Sequence, residues 1–252
     1  MKNDKIKNFN KLDQLYKKIR NIHQSLEEIY PIAIVKNNRF NIYDGGQISK
    51  YRLIKTEQSP FPIPNKVRAA FPLSSYDNKI IVVVTSDIFE SFEEVILIFH
   101  EFVHCYQYIN FEKELRRKME IEKYYKGIKN NMWELNHKFP YKNDQVCNVF
   151  TEYSKKLDLK NLANVKETKS KLKKLLSKID YEYLIWQEWK EGFARYVENK
   201  IRVKLKLPEN HFGSGKLLSR ISFYETGNKY IEMLIKEDKT IFNNLVRIYE
   251  QL

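Results

Sequence analysis

His100 and His104 stand four residues apart, with Glu101 beside the first, in the run His100-Glu101-Phe102-Val103-His104. On a helix this spacing is about one turn, so both imidazoles share a face and can reach one divalent cation. Two such nitrogens begin a zinc site, and a carboxylate next to the first reaches a water on that metal. The spacing therefore predicts one Zn²⁺ per chain, held by His100 and His104, with Glu101 as the base that takes the water's proton.

A helix has to present these groups. Val95-Ile96-Leu97-Ile98-Phe99 runs straight into His100, and Ser91 with Glu94 three residues later forms a capping-box pattern. Together they predict a helix over 92–109, apolar on nearly every face and so buried on nearly every face. A charged Glu101 in such a helix is costly unless it is paired or lies near a metal. A core helix carrying two satisfied histidines is the plainer alternative.

With these residues the chain resembles the zincin metallopeptidases. The branch in which a third histidine follows, after a glycine, six residues beyond the second does not fit, because residues 105–110 contain neither. Trp189-Lys190-Glu191-Gly192-Phe193-Ala194-Arg195-Tyr196 is similar to the Glu-Gly-x-Ala-x-Tyr form of several gluzincin-like families, in which the glutamate is the third ligand. Glu191 is thus the implied ligand. Gly192 inside a helix of about 181–202 costs roughly 1 kcal/mol relative to alanine, which makes sense where another helix comes very close, as a metal-bridged one must. Glu188 and Glu198 lie on nearly the same face and are rival ligands. Arg195 occupies the place where one gluzincin form has the aspartate that orients a metal histidine. That carboxylate must then come from Glu188 or Glu198, and the sequence does not choose. The Gly-x-Met-Glu-Asn motif of the related aminopeptidases is absent.

The resemblance implies a zincin-like two-lobed α+β molecule. Residues 1–110 would form a lobe with a small mixed or antiparallel sheet and the metal helix. Residues 111–252 would form a mostly helical lobe bearing the third ligand. It also implies hydrolysis of a peptide or protein substrate, which would pair as an added strand along 80–84. An oxyanion donor would come from Tyr224, in a Tyr-x-x-Gly segment, or from His211; as plain packing and loop residues, both also have bland readings. Two rivals remain: a non-catalytic binding module of this fold, and a basic nucleic-acid-binding protein with a structural metal.

The 252 residues carry a net charge of +13, and 42% are apolar. Nucleic acid is possible from the charge but not favoured, because the lysines are spread over the chain in a sequence rich in Lys, Asn and Ile throughout. The densest run, 166–178, has six lysines at mostly helical spacing and reads as a solvated helix face. Cys105 and Cys147 make no disulfide framework, and Cys105 points about 100° away from His104 on the helix, as a core thiol would. The start of the chain is polar and lysine-rich, and no stretch has membrane-spanning length, so a cytoplasmic protein is expected. Oligomeric state is not legible.

Apolar spacing predicts a first helix over 10–30. Hairpins are expected over 39–56, turning at Tyr43-Asp44-Gly45-Gly46, and over 67–85, with a proline-punctuated loop over 59–64 between them. Beyond Ser86 helices are expected near 92–109, 112–128, 145–157, 165–177, 181–202, 216–235 and 240–251. Gly213 to Lys216 is not a phosphate loop, since the long glycine spacing is missing.

Overall fold

Asn37 and Asn38, both at positive φ (51° and 55°), make the first tight turn of the protein. They join β1 (Ile32–Lys36) to β2 (Arg39–Asp44) as an antiparallel hairpin, the work of a two-residue turn whose twist suits the strands. A computed structural model describes residues 2–60, 62–215 and 217–252, with side chains from residue 8 onward. It is an α+β molecule that divides into two compact units, one of residues 1–110 and 197–209, the other of 111–196 and 210–252.

In the first unit, β3 (Arg52–Gln58) pairs antiparallel with β2, while β4 (Arg68–Leu73) and β5 (Lys79–Thr85) form a second hairpin. The sheet order is β3-β2-β1-β5-β4, and β1 runs parallel to β5, so the sheet is mixed. The β2–β3 connection is longer than the expected turn, with a short 3₁₀ turn at Ile48–Lys50. The expected loop over 59–64 includes Phe61, which lies outside the described residues. Ile81 to Val84 are fully buried, as their β-branched run predicts. Substrate cannot add to β5, however, because β1 and β4 already occupy both its backbone edges; the free edge on that side belongs to β4.

The first helix, α1, spans Lys2–Ile19 and does not continue to residue 30. His23 Nδ1 accepts from the Ser25 amide and caps a 3₁₀ turn at Gln24–Leu26. That turn still buries Leu26, which is why the apolar spacing carried on past the helix end.

Helix α2 (Phe92–Gln107) begins where the Ser91 cap predicts, with Ser91 Oγ accepting from the Glu94 amide at 3.1 Å. Only half of the capping box forms, because the Glu94 carboxylate accepts from Arg68 of β4 instead. Residues 95, 96, 98–105 and 107 are buried, and α2 packs on β4 and β5. Burying each large apolar side chain such as Phe99 or Phe102 contributes roughly 1.5–3 kcal/mol. A single π turn, Tyr108–Glu112, follows.

The second unit is helical. The expected helix over 112–128 breaks into α3 (Lys113–Lys118) and α4 (Glu120–Gly127) at Met119, which is extended and buried. The Glu182 carboxylate accepts the Ile121 amide left open by that break. A short α5 (Trp133–Asn136) precedes α6 (Asp144–Asp158) and α7 (Leu162–Leu175). Asn143 and Asn161 cap these last two, each accepting an amide from the first turn. The long α8 (Lys178–Lys204) runs through both units. Helix α9 (Arg220–Glu237) and α10 (Leu245–Gln251) complete the chain. The expected start of α9 at Lys216 lies outside the described residues.

Gly192 of α8 faces α9 backbone to backbone. A Cβ at 192 would lie 2.6 Å from the Gly227 Cα, and one at 227 would lie 2.4 Å from the Glu188 carbonyl oxygen. The glycine does mark a close helix approach, but its partner is Gly227 of the Tyr-x-x-Gly segment and not the metal helix.

Candidate metal centre

On α2, ligand atoms of His100, Glu101 and His104 all lie within 4.8 Å of one another, and all three residues are buried. The two Nε2 atoms are 3.2 Å apart. Each ring's other nitrogen is engaged: His100 Nδ1 with Glu198 Oε2 at 3.1 Å, and His104 Nδ1 with Gln107 Oε1 at 2.9 Å. Both partners are oxygen acceptors, so each Nδ1 carries the proton and each Nε2 carries a lone pair. Two such nitrogens 3.2 Å apart beside a buried carboxylate gather donors that a cation could bridge. Zinc–nitrogen bonds of about 2.0–2.1 Å at a near-tetrahedral angle place two ligand nitrogens about 3.3 Å apart, so the donor set fits a metal ion. The group can hold one.

The open choice of supporting carboxylate is decided by Glu198. It is fully buried, orients His100, and its other oxygen accepts from Arg202 Nε at 2.8 Å. Glu188 is committed elsewhere: Tyr153, Lys169 and Thr226 donate to it at 2.9, 2.7 and 2.8 Å. It is a closed ion pair and no ligand.

Glu191 stands on α8 in the second unit, half-buried, seven residues and about two turns before Glu198. Its neighbour Lys190 pairs with Glu112 at 3.0 Å and Glu134 at 2.8 Å, and Arg116 reaches Glu134 and Glu122 at 2.7 and 2.8 Å. Burial works against the charge on Lys190, but Glu112 and Glu134 outweigh it and hold the ammonium well above its ordinary pKa.

His211 is half-exposed, not a free surface residue. Its Nδ1 bonds Glu225 Oε1 at 3.0 Å, and Glu225 is buried and also paired with Lys229 at 2.9 Å. Arg195, whose place in the motif looked anomalous, donates to the Asn210 and Phe212 carbonyls at 3.1 and 3.2 Å and so fixes the backbone on both sides of His211. Tyr224 is half-buried, with the Arg220 guanidinium 5.8 Å from its ring centroid. Cys105 is fully buried and stands outside the ligand group; Cys147 Sγ donates to the Tyr141 carbonyl.

Sequence reasoning missed Gln107, Arg202 and Glu225. Gln107, three residues beyond His104, and Arg202, four beyond Glu198, carried a local signal, each lying on the same helix as its partner. Among the described residues no helix is long and apolar enough to cross a membrane. No family model, no curated protein and no solved structure matches this chain, so the buried His-Glu-His group stands on its own geometry.

Proposed function

We propose that the chain is a zinc-dependent peptidase of the gluzincin type. The observation that carries this reading is the pair of lone-pair nitrogens 3.2 Å apart with the Glu101 carboxylate in the same buried group. Zinc bound there supplies a Lewis acid and brings the pKa of a coordinated water to about 7. Glu198 and Gln107 hold the two imidazoles through Nδ1, the arrangement in which Nε2 is the nitrogen that would meet a metal. Glu191 is the third ligand in this reading on its Glu-Gly-x-Ala-x-Tyr context alone; the group of donors gathered on α2 is His100, Glu101 and His104. Glu101 accepts a proton from the attacking water and passes it to the leaving nitrogen. Tyr224, whose hydroxyl can donate, is the better candidate for oxyanion donor. His211 is the alternative: the buried Glu225 carboxylate holds its Nδ1 proton, so its Nε2 donates only when the ring carries both protons. A sulfur-liganded structural metal draws no support from either cysteine.

The test is digestion of a random peptide library by protein loaded with one equivalent of zinc. Glu101→Gln is expected to keep the metal and to lose at least about a hundredfold in rate, the weight of a positioned base. Cleavage by this variant at the parent rate overturns the reading. In the same assay Tyr224→Phe is expected to lower kcat by on the order of 10²-fold and His211→Ala by less, with KM and zinc content nearly unchanged. The reverse order transfers the donor role to the histidine.

A further inference from the structure

Tyr124, Ile128, Met132 and Leu135 are large side chains with apolar bodies, and each is more than half exposed, at 52, 57, 54 and 55%. They fall within one short stretch: the end of α4, the turn after it, and α5. Elsewhere among the described residues, exposed large apolar side chains come singly or as adjacent pairs along the chain. The stretch is closed on itself by its backbone. The Ile128 amide donates to the Tyr124 carbonyl at 3.4 Å, Asn130 to Tyr125 at 2.9 Å, and Leu135 to Met132 at 3.0 Å. Inside, the Tyr125 ring stacks on the buried Trp133 ring, with centroids 6.3 Å apart. The turn thus has its own core contacts, and the four outward side chains are surplus to them.

Charge sorts the same way. The carboxylates of residues 121–138 are Glu122 and Glu134, and Arg116 reaches both, at 2.8 and 2.7 Å. Trp133 Nε1 adds a donor to Glu122, and Lys190 adds one to Glu134. Both acids are therefore spent on inward partners. The lysines of the same stretch, Lys123, Lys126, Lys129 and Lys138, are all exposed. The outer surface is left with apolar tips and ammonium groups. Side chains lining a groove for a peptide would be covered by its walls, whereas these four project. A bilayer surface accepts both kinds: apolar tips enter the headgroup boundary, lysine stems lie along it with the charge among phosphates, and a tyrosine ring suits the boundary itself. We infer that the α4–α5 turn is a docking surface for an anionic lipid bilayer, to which the protein attaches peripherally. The inference needs neither a metal nor the peptidase reading.

The test sediments the full chain with vesicles of phosphatidylcholine alone and of phosphatidylcholine mixed with phosphatidylserine. Binding to the mixed vesicles should exceed binding to the neutral ones by at least about tenfold and weaken as salt rises. Lys126→Gln combined with Lys129→Gln should weaken it by about twenty-five-fold, roughly fivefold for each lysine at an anionic surface. Lys166→Gln combined with Lys174→Gln removes the same charge from α7 and should cost less than about threefold. Equal losses in the two double variants mean that net charge alone drives adsorption, and they overturn the assignment, as does equal binding to both vesicle types. Ile128→Asn combined with Leu135→Asn should weaken binding by at least about tenfold, with the urea midpoint close to the parent's. Unchanged binding in that folded variant also overturns it. Insertion is read without removing any contact, by tryptophan quenching, since the three natural tryptophans are buried. Leu135→Trp should be quenched by lipids brominated in their acyl chains, and Leu159→Trp, at a position 72% exposed between α6 and α7, should not. Quenching at 159 and not at 135 puts another face on the membrane and overturns the assignment. If the chain ignores vesicles but forms a dimer that Ile128→Asn with Leu135→Asn dissociates in sedimentation velocity, the turn is a contact between copies and the lipid assignment falls.

Discussion

Helix α8 carries two fully buried glutamates, Glu188 and Glu198, whose surroundings differ in kind. Glu188 collects donors from three other helices: Tyr153 of α6, Lys169 of α7 and Thr226 of α9. The Lys169 ammonium is then covered by the Tyr230 ring, 4.5 Å from its centroid. Glu198 has an imidazole and a guanidinium, and the imidazole's second nitrogen faces another lone pair. The first arrangement is closed, and nothing more can bind. The second adjoins a donor group that could hold a cation. The same contrast separates the histidines. His137 bonds Tyr125 through Nδ1 and Asp180 through Nε2, whereas His100 and His104 bond protein oxygens through Nδ1 and bring their Nε2 atoms within 3.2 Å of each other. A buried charge or ring is therefore a sign of function where its surroundings gather further donor atoms on one point.

The largest effect that would test this comparison is at the closed end. Glu188→Ala leaves the Lys169 ammonium buried without a counter-charge and strips the acceptor from two hydroxyls. It should cost about 3–5 kcal/mol of stability in urea unfolding, the usual result of breaking one side of a buried pair. Zinc affinity of the remaining folded protein should not change. A large loss of zinc affinity would mean that Glu188 is tied to the metal group after all.

At the open end the balance reverses. Glu198→Gln keeps the shape and can still accept from His100, but it loses the charge that strengthens that bond. Zinc affinity should fall about tenfold to a hundredfold, as for other groups that orient metal histidines, with a smaller change in stability than at 188. The comparison breaks if unfolding is as severe as in Glu188→Ala while zinc binding is untouched.

What the sequence made legible follows the range of the interactions. The Ser91 cap, helix α2 and the His100–His104 pair rest on contacts within four residues, and all could be read directly. The β4–β5 hairpin and the buried β-branched run of β5 were equally local. Ile22 and Leu26 carry the apolar spacing of α1 past its end at the His23 cap, and the run Ile32 to Val35 that forms β1 fell between the elements expected over 10–30 and 39–56. The choice between Glu188 and Glu198 was out of reach: both sit on one helix face, and their partners lie 98 and 19 to 38 residues away in sequence. Gly192 demanded a close neighbour, and it has one, but spacing cannot say that the neighbour is Gly227.

The smallest effect concerns His137, the closed histidine. Burial lowers its pKa below the ordinary 6.5, and the Asp180 carboxylate restores only part of the shift. The folded protein therefore holds His137 neutral at pH values where the unfolded chain has begun to protonate it. Fewer protons bound in the folded state means that stability falls as pH drops through about 6.5 toward the lower folded value, and levels off below that. One histidine contributes at most about 1.4 kcal/mol per pH unit. The chain holds four other histidines, so the measurement is a difference: urea midpoints from pH 7.5 to 5 for the parent chain and for His137→Asn, both zinc-free. The parent should lose stability more steeply. Parallel slopes would show that His137 takes up its proton as readily folded as unfolded. Tyr125 and Asp180 would then have left it room for one more ligand, and the distinction between closed and open histidines would no longer separate it from the metal pair.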